Sequence, residues 1–154
     1  MKRLIIITIL FLMTLSIGVA CGSNLIVNGR SVGDINIGDS LTTICNKYGE
    51  PNSIDKSSGG TYNVYYYTYN ISMTMDKHNI LIGIVLTNKS YKDSFGLYVG
   101  APANTLTQCY GMYDERMGNT YIWYKYGIAF AVEKNAIRQI IVFDVNKASL
   151  FWDL

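Results

Sequence analysis

Apolar and polar residues alternate with a period of two through two stretches of this chain, and each stretch follows a short segment with helical spacing. In Tyr62–Met75 (YNVYYYTYNISMTM), Tyr65, Tyr67, Tyr69, Ile71, Met73 and Met75 share one face. Val64, Tyr66, Thr68, Asn70, Ser72 and Thr74 share the other, which is mostly polar. Successive strand residues point to opposite sides of a sheet, so this pattern predicts a half-buried strand or hairpin with the first face inward. The second stretch, YIWYKYGIAFAVEKN from Tyr121, aligns with the first. Tyr124 falls on Tyr67, Tyr126 on Tyr69, Ile128 on Ile71, Phe130 on Met73 and Val132 on Met75. Short turns at 76–79 and 133–135 lead into ILIGIVL (80–86) and AIRQIIVFD (136–144), each predicted as a final strand.

The segments before these stretches also correspond: IGDSLTTICNKYG at 37–49 and VGAPANTLTQCYG at 99–111. In the first, Asp39 or Ser40 suits the cap of a short helix. Leu41, Ile44, Cys45 and Tyr48 make one helix face, and Gly49 and Pro51 stop it. In the second, Pro102 suits the first turn, Ala103, Leu106 and Tyr110 form the face, and Gly111 ends it. Helices this short are stable only when packed. The expected fold is therefore α+β: two tandem repeats, each a helix plus an antiparallel three-stranded sheet, with the helices on one sheet face. The first repeat spans 35–92 and the second 93–154, including a tail with Leu150, Phe151, Trp152 and Leu154. Residues 57–61 and 114–119 read as loops, and 87–93 as the link.

Residues 1–20 read as a signal peptide. Lys2 and Arg3 precede an apolar run from Leu4 to Leu15 and the small residues of GVACG. The alternative is a retained transmembrane helix, but no basic stop-transfer cluster follows. Val19–Ala20–Cys21 resembles a bacterial lipoprotein signal, which implies lipid attachment at Cys21. Gly18 stands where a larger residue is usual, and Gly18 and Ala20 also suit ordinary cleavage. Residues 21–34 then form a tether or short N-terminal strand. The chain is expected to be exported, lipid-anchored to a bacterial membrane or else secreted.

The whole chain holds 13 basic and 11 acidic residues. Losing the leader leaves 11 of each, so no excess charge recommends nucleic acid. Export permits a disulfide between Cys45 and Cys109, which would staple the repeats; the alternative is two free thiols. A metal needs more ligands than these, with His78 distant in sequence, so neither metal nor cofactor is expected. His78 sits in a charged turn, and Asp114–Glu115–Arg116 in a loop facing water. No nucleophile constellation or phosphate loop accompanies them, so catalysis is not expected.

One resemblance stands on Gly38, Leu41, Ile44, Tyr48, Gly49 and Pro51, with second-copy matches at Gly100, Ala103, Leu106, Tyr110 and Gly111. The motif, followed by aromatic strands, resembles modules of the beta-lactamase-inhibitor-protein fold and the single module of SmpA/OmlA outer-membrane assembly lipoproteins. Tyr113 replaces the proline in the second copy. The resemblance implies a non-enzymatic protein that binds another protein at the cell envelope. The expected binding face is the uncovered side of the sheet, carrying Tyr66, Tyr121 and Trp123 among polar neighbours. The alternatives are that these rings merely pair across strands, or that they stack on a glycan or peptide.

Overall fold

The tyrosine-rich run folds back on itself at its centre. A computed structural model of the chain describes residues 24–56 and 59–152. The leader, Cys21, part of the 57–61 loop and Leu154 lie outside the described residues. In the run, β5 (Tyr62–Tyr66) and β6 (Ile71–Met75) are joined by a 3-10 turn over Tyr67–Tyr69. Asn70 closes that turn in the left-handed conformation, with φ 53°. The second stretch does the same: β9 (Thr120–Trp123), a 3-10 turn over Tyr124–Tyr126, Gly127 at φ 61°, then β10 (Ile128–Glu133).

The turn overturns the expected inward face. Even-numbered Val64 and Tyr66 are buried before it, and odd-numbered Ile71, Met73 and Met75 after it. Alternation cannot be carried in phase through a turn, and a one-residue slip exchanges the faces of a strand. Tyr65 and Tyr67 thus lie opposite to the side their spacing predicts.

The expected pair of helix-plus-three-strand units is also overturned. Residues 53–56 (β4) and 115–117 (β8), the latter read as loop, pair as edge strands with β5 and β9. β7 (Leu81–Leu86) pairs directly with β11 (Ala136–Phe143). One eight-stranded antiparallel sheet results, ordered β4-β5-β6-β7-β11-β10-β9-β8. A register shift interrupts β6 at Thr74/Met75 and β10 at Ala131/Val132, at matching places in the two halves. The expected tether forms a second sheet with the next residues: β1 (Ile26–Val27), β2 (Ser31–Val32) and β3 (Ile35–Asn36).

The main core lies on one side of the large sheet, where the small sheet and two helices cover it. Helix α1 (Leu41–Tyr48) is capped by Ser40, whose hydroxyl accepts from the Thr43 amide. Helix α2 (Leu106–Tyr110) continues a 3-10 turn at Ala103–Thr105. Gly49 and Gly111 end the two helices with φ 80° and 77°, which a residue without Cβ adopts freely. Ile44, Leu106, Val64, Met73, Ile84, Phe130, Ile140 and Val142 are buried together there with Ile26, Val32 and Ile35.

The tail becomes helix α3 (Ala148–Trp152) and crosses to the opposite sheet side. Phe151 stacks on Phe143 with ring centroids 5.8 Å apart, and Trp152 meets Phe143 edge-on at 5.6 Å. These rings cover Ile122, Ala129 and Ile141 in a second, smaller core. Lys147 Nζ reaches Asp76 at 2.9 Å and ties the start of the tail to the β6–β7 turn. Cys45 and Cys109 are both free, so they do not staple the two halves.

Candidate functional site

Helix α3 covers only part of the outer sheet face, and what it leaves open is a shallow trough across the strands. Cross-strand register sets its floor: Tyr65 lies opposite Ser72, Ser72 opposite Val85, and Ala131 opposite Gln139. A depression of about 200 Å³ lies among Tyr65, Tyr67, Asn70, Ser72, Val85, Thr87 and Gln139. A second, of about 250 Å³, shares Thr87 and Gln139 and extends to Asn119, Thr120, Ala131, Glu133 and Arg138. The trough therefore runs from β5 over the central β7–β11 pair to β9.

Its ends differ in chemistry. At one end the Tyr65 and Tyr67 rings lie 6.0 Å apart, and Tyr67 is 62% exposed. The Tyr67 hydroxyl is 2.8 Å from Ser53 Oγ, and its amide donates to Asn52 Oδ1 at 2.9 Å. An exposed ring is thus held in place rather than left free. Partial burial raises the Tyr65 hydroxyl pKa, and the nearby Asp55 charge adds to this. At the other end Arg138 and Glu133 pair at 3.1 Å, both largely exposed. Between them hydroxyls and amides are interspersed with Val85 and Ala131.

The three aromatics expected on the open face lie on the helix side. Tyr66 is 2% exposed, and its hydroxyl donates to the Gly49 carbonyl at the end of α1. Trp123, also 2% exposed, donates from Nε1 to the Gly111 carbonyl at the end of α2 at 3.2 Å. A buried indole or phenol finds a partner for its polar tip, and here the partners are helix ends. Burial raises the Tyr66 hydroxyl, and the neighbouring Cys45 raises it further. Tyr121 is half-buried, edge-on to Tyr113 at 5.1 Å and under the Arg116 guanidinium at 5.0 Å. It borders a different cavity, beneath the sheet. The expected placement fails for all three, with the inverted face as the reason.

The sequence carried a signal for the correct side. Asn70 and Gly127 occupy aligned positions, and Asn and Gly are the residues that accept positive φ. Such a pair inside an alternating run marks a hairpin turn, and reading it that way sends Tyr65 outward.

His78 is exposed, and its amide donates to Asp76 Oδ1 at 2.9 Å. Burial pushes the Asp76 carboxyl up, but hydrogen bonds from Lys147 and from the Ile80 and His78 amides outweigh it and leave the pKa lowered. Asp76 thus shapes a turn and holds the tail. The Asp114 carboxylate accepts from the Tyr124 amide at 2.7 Å, and Glu115 accepts from the Tyr124 hydroxyl at 2.6 Å. Among the described residues, no group of three or more His, Cys, Asp and Glu side chains is placed to hold a metal ion. Aromatic side chains exposed on the large sheet suit a binding surface in general.

No family model and no curated protein matches the chain. Among solved structures, the uncharacterized protein yfeY from Escherichia coli superposes with a TM-score of 0.51 at 13% identity, over 76% of this chain and 98% of that one. An extracellular protein containing an SCP domain from Bacillus anthracis str. Ames gives a TM-score of 0.48 at 10% identity, over 72% of this chain. This chain spans 45% of that protein's length. The Escherichia coli protein is neither a beta-lactamase-inhibitor-protein nor an SmpA/OmlA module, and the resemblance read from the sequence is overturned. At this identity, what the chain shares with the Escherichia coli protein is its fold.

Proposed function

We propose that this is an exported, non-enzymatic protein that binds another protein through the outer face of its large sheet. The observation that carries the reading is the trough left open by α3, with Tyr67 projecting at its end. The helices and the small sheet cover the inner side of the large sheet and α3 covers one part of its outer side, so the trough is the part left open. A broad, shallow, mostly neutral surface with a held aromatic at one end has the anatomy of a protein interface. The sequence supports export through the apolar leader, and Val19–Ala20–Cys21 supports lipid attachment at Cys21. Mass measurement of the mature N-terminus tests the lipid.

The binding reading is tested by a photo-crosslinking residue placed at Tyr67, Thr87 or Arg138 in the native protein, with Thr42 on exposed α1 as control. A partner crosslinked from the trough and not from Thr42 supports the reading. Equal capture from all positions refutes it. Tyr67→Ala should weaken capture roughly tenfold or more, as loss of an aromatic anchor does, with folding stability nearly unchanged. A glycan is the second reading, favoured by the amides and hydroxyls of Asn70, Ser72 and Gln139 around the Tyr65 and Tyr67 rings. Saturable oligosaccharide binding, abolished by the same Tyr67 substitution, would favour it over a protein partner.

A further inference from the structure

On the helix side of the sheet, a cavity of about 260 Å³ opens between α2 and strands β9 and β10. Leu106 and Thr107 line it from the helix, Tyr121, Trp123 and Val132 from the strands, and Asn135 from the β10–β11 turn. No charged side chain lines it. The volume falls below the usual range for drug-sized sites, so it suits a single ring.

The other half of the sheet builds the same frame around the same place. Leu41 N–H donates to the Asn79 carbonyl at 2.9 Å, and Ala103 N–H to the Asn135 carbonyl at 3.0 Å. Gly49 N–H donates to Cys45 O, and Gly111 N–H to Thr107 O, at 2.8 and 3.0 Å. Tyr66 and Trp123 bond those same two glycines' carbonyls. By these bonds Cys45 corresponds to Thr107 and Asn79 to Asn135, and the matching register shifts set Met75 against Val132.

In the first half, Tyr62 occupies the frame. It lies opposite Met75 in register and packs against the main core. Its hydroxyl donates to Asn79 Oδ1 at 2.7 Å. Burial, then Asp76 and Cys45, raise the pKa of that hydroxyl. In the second half the corresponding residue is Asn119, since Val132 N–H donates to its carbonyl at 2.9 Å. The short Asn119 side chain turns back to the Val132 carbonyl at 3.2 Å. A tyrosine fills one frame, and the other stands open.

We propose that the open cavity binds a p-hydroxyphenyl ring, a tyrosyl side chain or a free phenol, with its hydroxyl donating to Asn135 Oδ1. The protein carries the template for this complex in its own first half. The neutral lining suits an uncharged ring, and the Asn135 amide supplies the acceptor that Asn79 supplies to Tyr62. The cavity is on the opposite side of the sheet from the trough, whose rim Asn119 borders, and the proposal stands whether or not the trough binds a protein.

The test is titration of the native protein with p-cresol, followed by NMR of the Tyr121, Trp123 and Val132 side chains. Saturable shifts at all three are expected, with toluene, which lacks the hydroxyl, about fivefold weaker. Asn119→Tyr, which copies Tyr62, should abolish binding. Asn135→Gly, which keeps the positive φ of 61°, should bring p-cresol down to the affinity of toluene. Should Asn119→Tyr fail to fold, Asn135→Gly decides. N-acetyltyrosinamide binding as tightly as p-cresol assigns the source to a tyrosyl residue, and p-cresol binding alone assigns it to a free phenol. Unmoved signals, equal affinity for toluene, or unaltered p-cresol binding in a folded Asn119→Tyr protein would overturn the proposal.

Discussion

Gly83 lies at the centre of the large sheet, directly beneath the Phe151 ring, and replacing it with alanine should loosen the tail without unfolding the main core. A Cβ at Gly83 would sit 2.0 Å from Phe151 Cε2, 2.4 Å from Cδ2 and 2.8 Å from Cζ. No real contact is that short, so the ring must move. Phe151 is half-buried and can swing outward, but it then gives up its stack on Phe143 and its edge contact with Trp152 at 4.9 Å. Each aromatic pair contributes about 0.5–1.5 kcal/mol beyond area burial. Against this, alanine gains about 0.5–1 kcal/mol over glycine within a strand. The net expectation is a loss of about 1–2 kcal/mol in urea unfolding, within the range for overpacked cores. The decisive assay is a double-mutant cycle with Phe151→Ala. Once the ring is gone, Gly83→Ala should be neutral or slightly stabilising, giving a coupling of about 1 kcal/mol or more between the two sites. Additive costs would refute the reasoning, because they would show that the ring does not occupy the space above Gly83.

Further substitutions probe other parts of the fold. Gly127→Ala should cost more than 2 kcal/mol, since its Cβ would lie 2.6 Å from both Gly29 Cα and the Phe143 carbonyl oxygen, neither of which can yield cheaply. Asn70→Gly, at the aligned turn, should change stability by less than about 1 kcal/mol, and equal costs in chemical denaturation would refute the distinction. Asp76 titrates below its ordinary 3.8 in the folded protein, so its stabilisation is complete above pH 3.8 and fades as pH falls through the lower folded value. Lys147→Met should therefore cost about 1 kcal/mol at neutral pH, a modest figure because Lys147 is a third exposed, and much less in acid; a pH-independent cost would refute the pairing. Burial, then the bond to Glu115, pushes the Tyr124 hydroxyl up to about 12. The stability it contributes is present below pH 10.0 and is lost as pH rises from there towards 12, and Tyr124→Phe should flatten that part of the urea midpoint's pH dependence.

Local punctuation was legible in the chain, and long-range pairing was not. Ser40, Gly49, Gly111 and the apolar faces of the two short helices act where their chemistry predicts, because caps and stops are decided within a few residues. The edge strands β4 and β8 were missed because Ser53–Lys56 and Glu115–Met117 carry no apolar alternation. They are strands because β5 and β9 offer them hydrogen-bonding edges. The β7–β11 pairing that fuses the halves was likewise invisible, since both runs are apolar and neither names its neighbour. The tail's apolar residues announced burial, but Phe151 needed Gly83 beneath it, and that match joins residues from distant parts of the sequence.

The candidate site failed in the sequence for a narrower reason, and that reason redirects the search for specificity. Tyr66 and Trp123 differ between the aligned stretches, and a difference on a polar face suggests a surface under its own demands. Both instead do one job: each donates from an aromatic tip to the carbonyl of the glycine that ends the helix above it. Phenol and indole are interchangeable there because only a rigid ring with one donor at the right reach is required. The change that alters the surface lies at Asn119, two residues before the second aligned stretch began. Tyr62 fills its half of the sheet and Asn119 leaves the other half open. An alignment beginning at Tyr121 never set those two residues against each other. Shared function at a position is thus a matter of what the side chain reaches, and only the bonding frame, not residue identity, shows which substitutions leave space for something else.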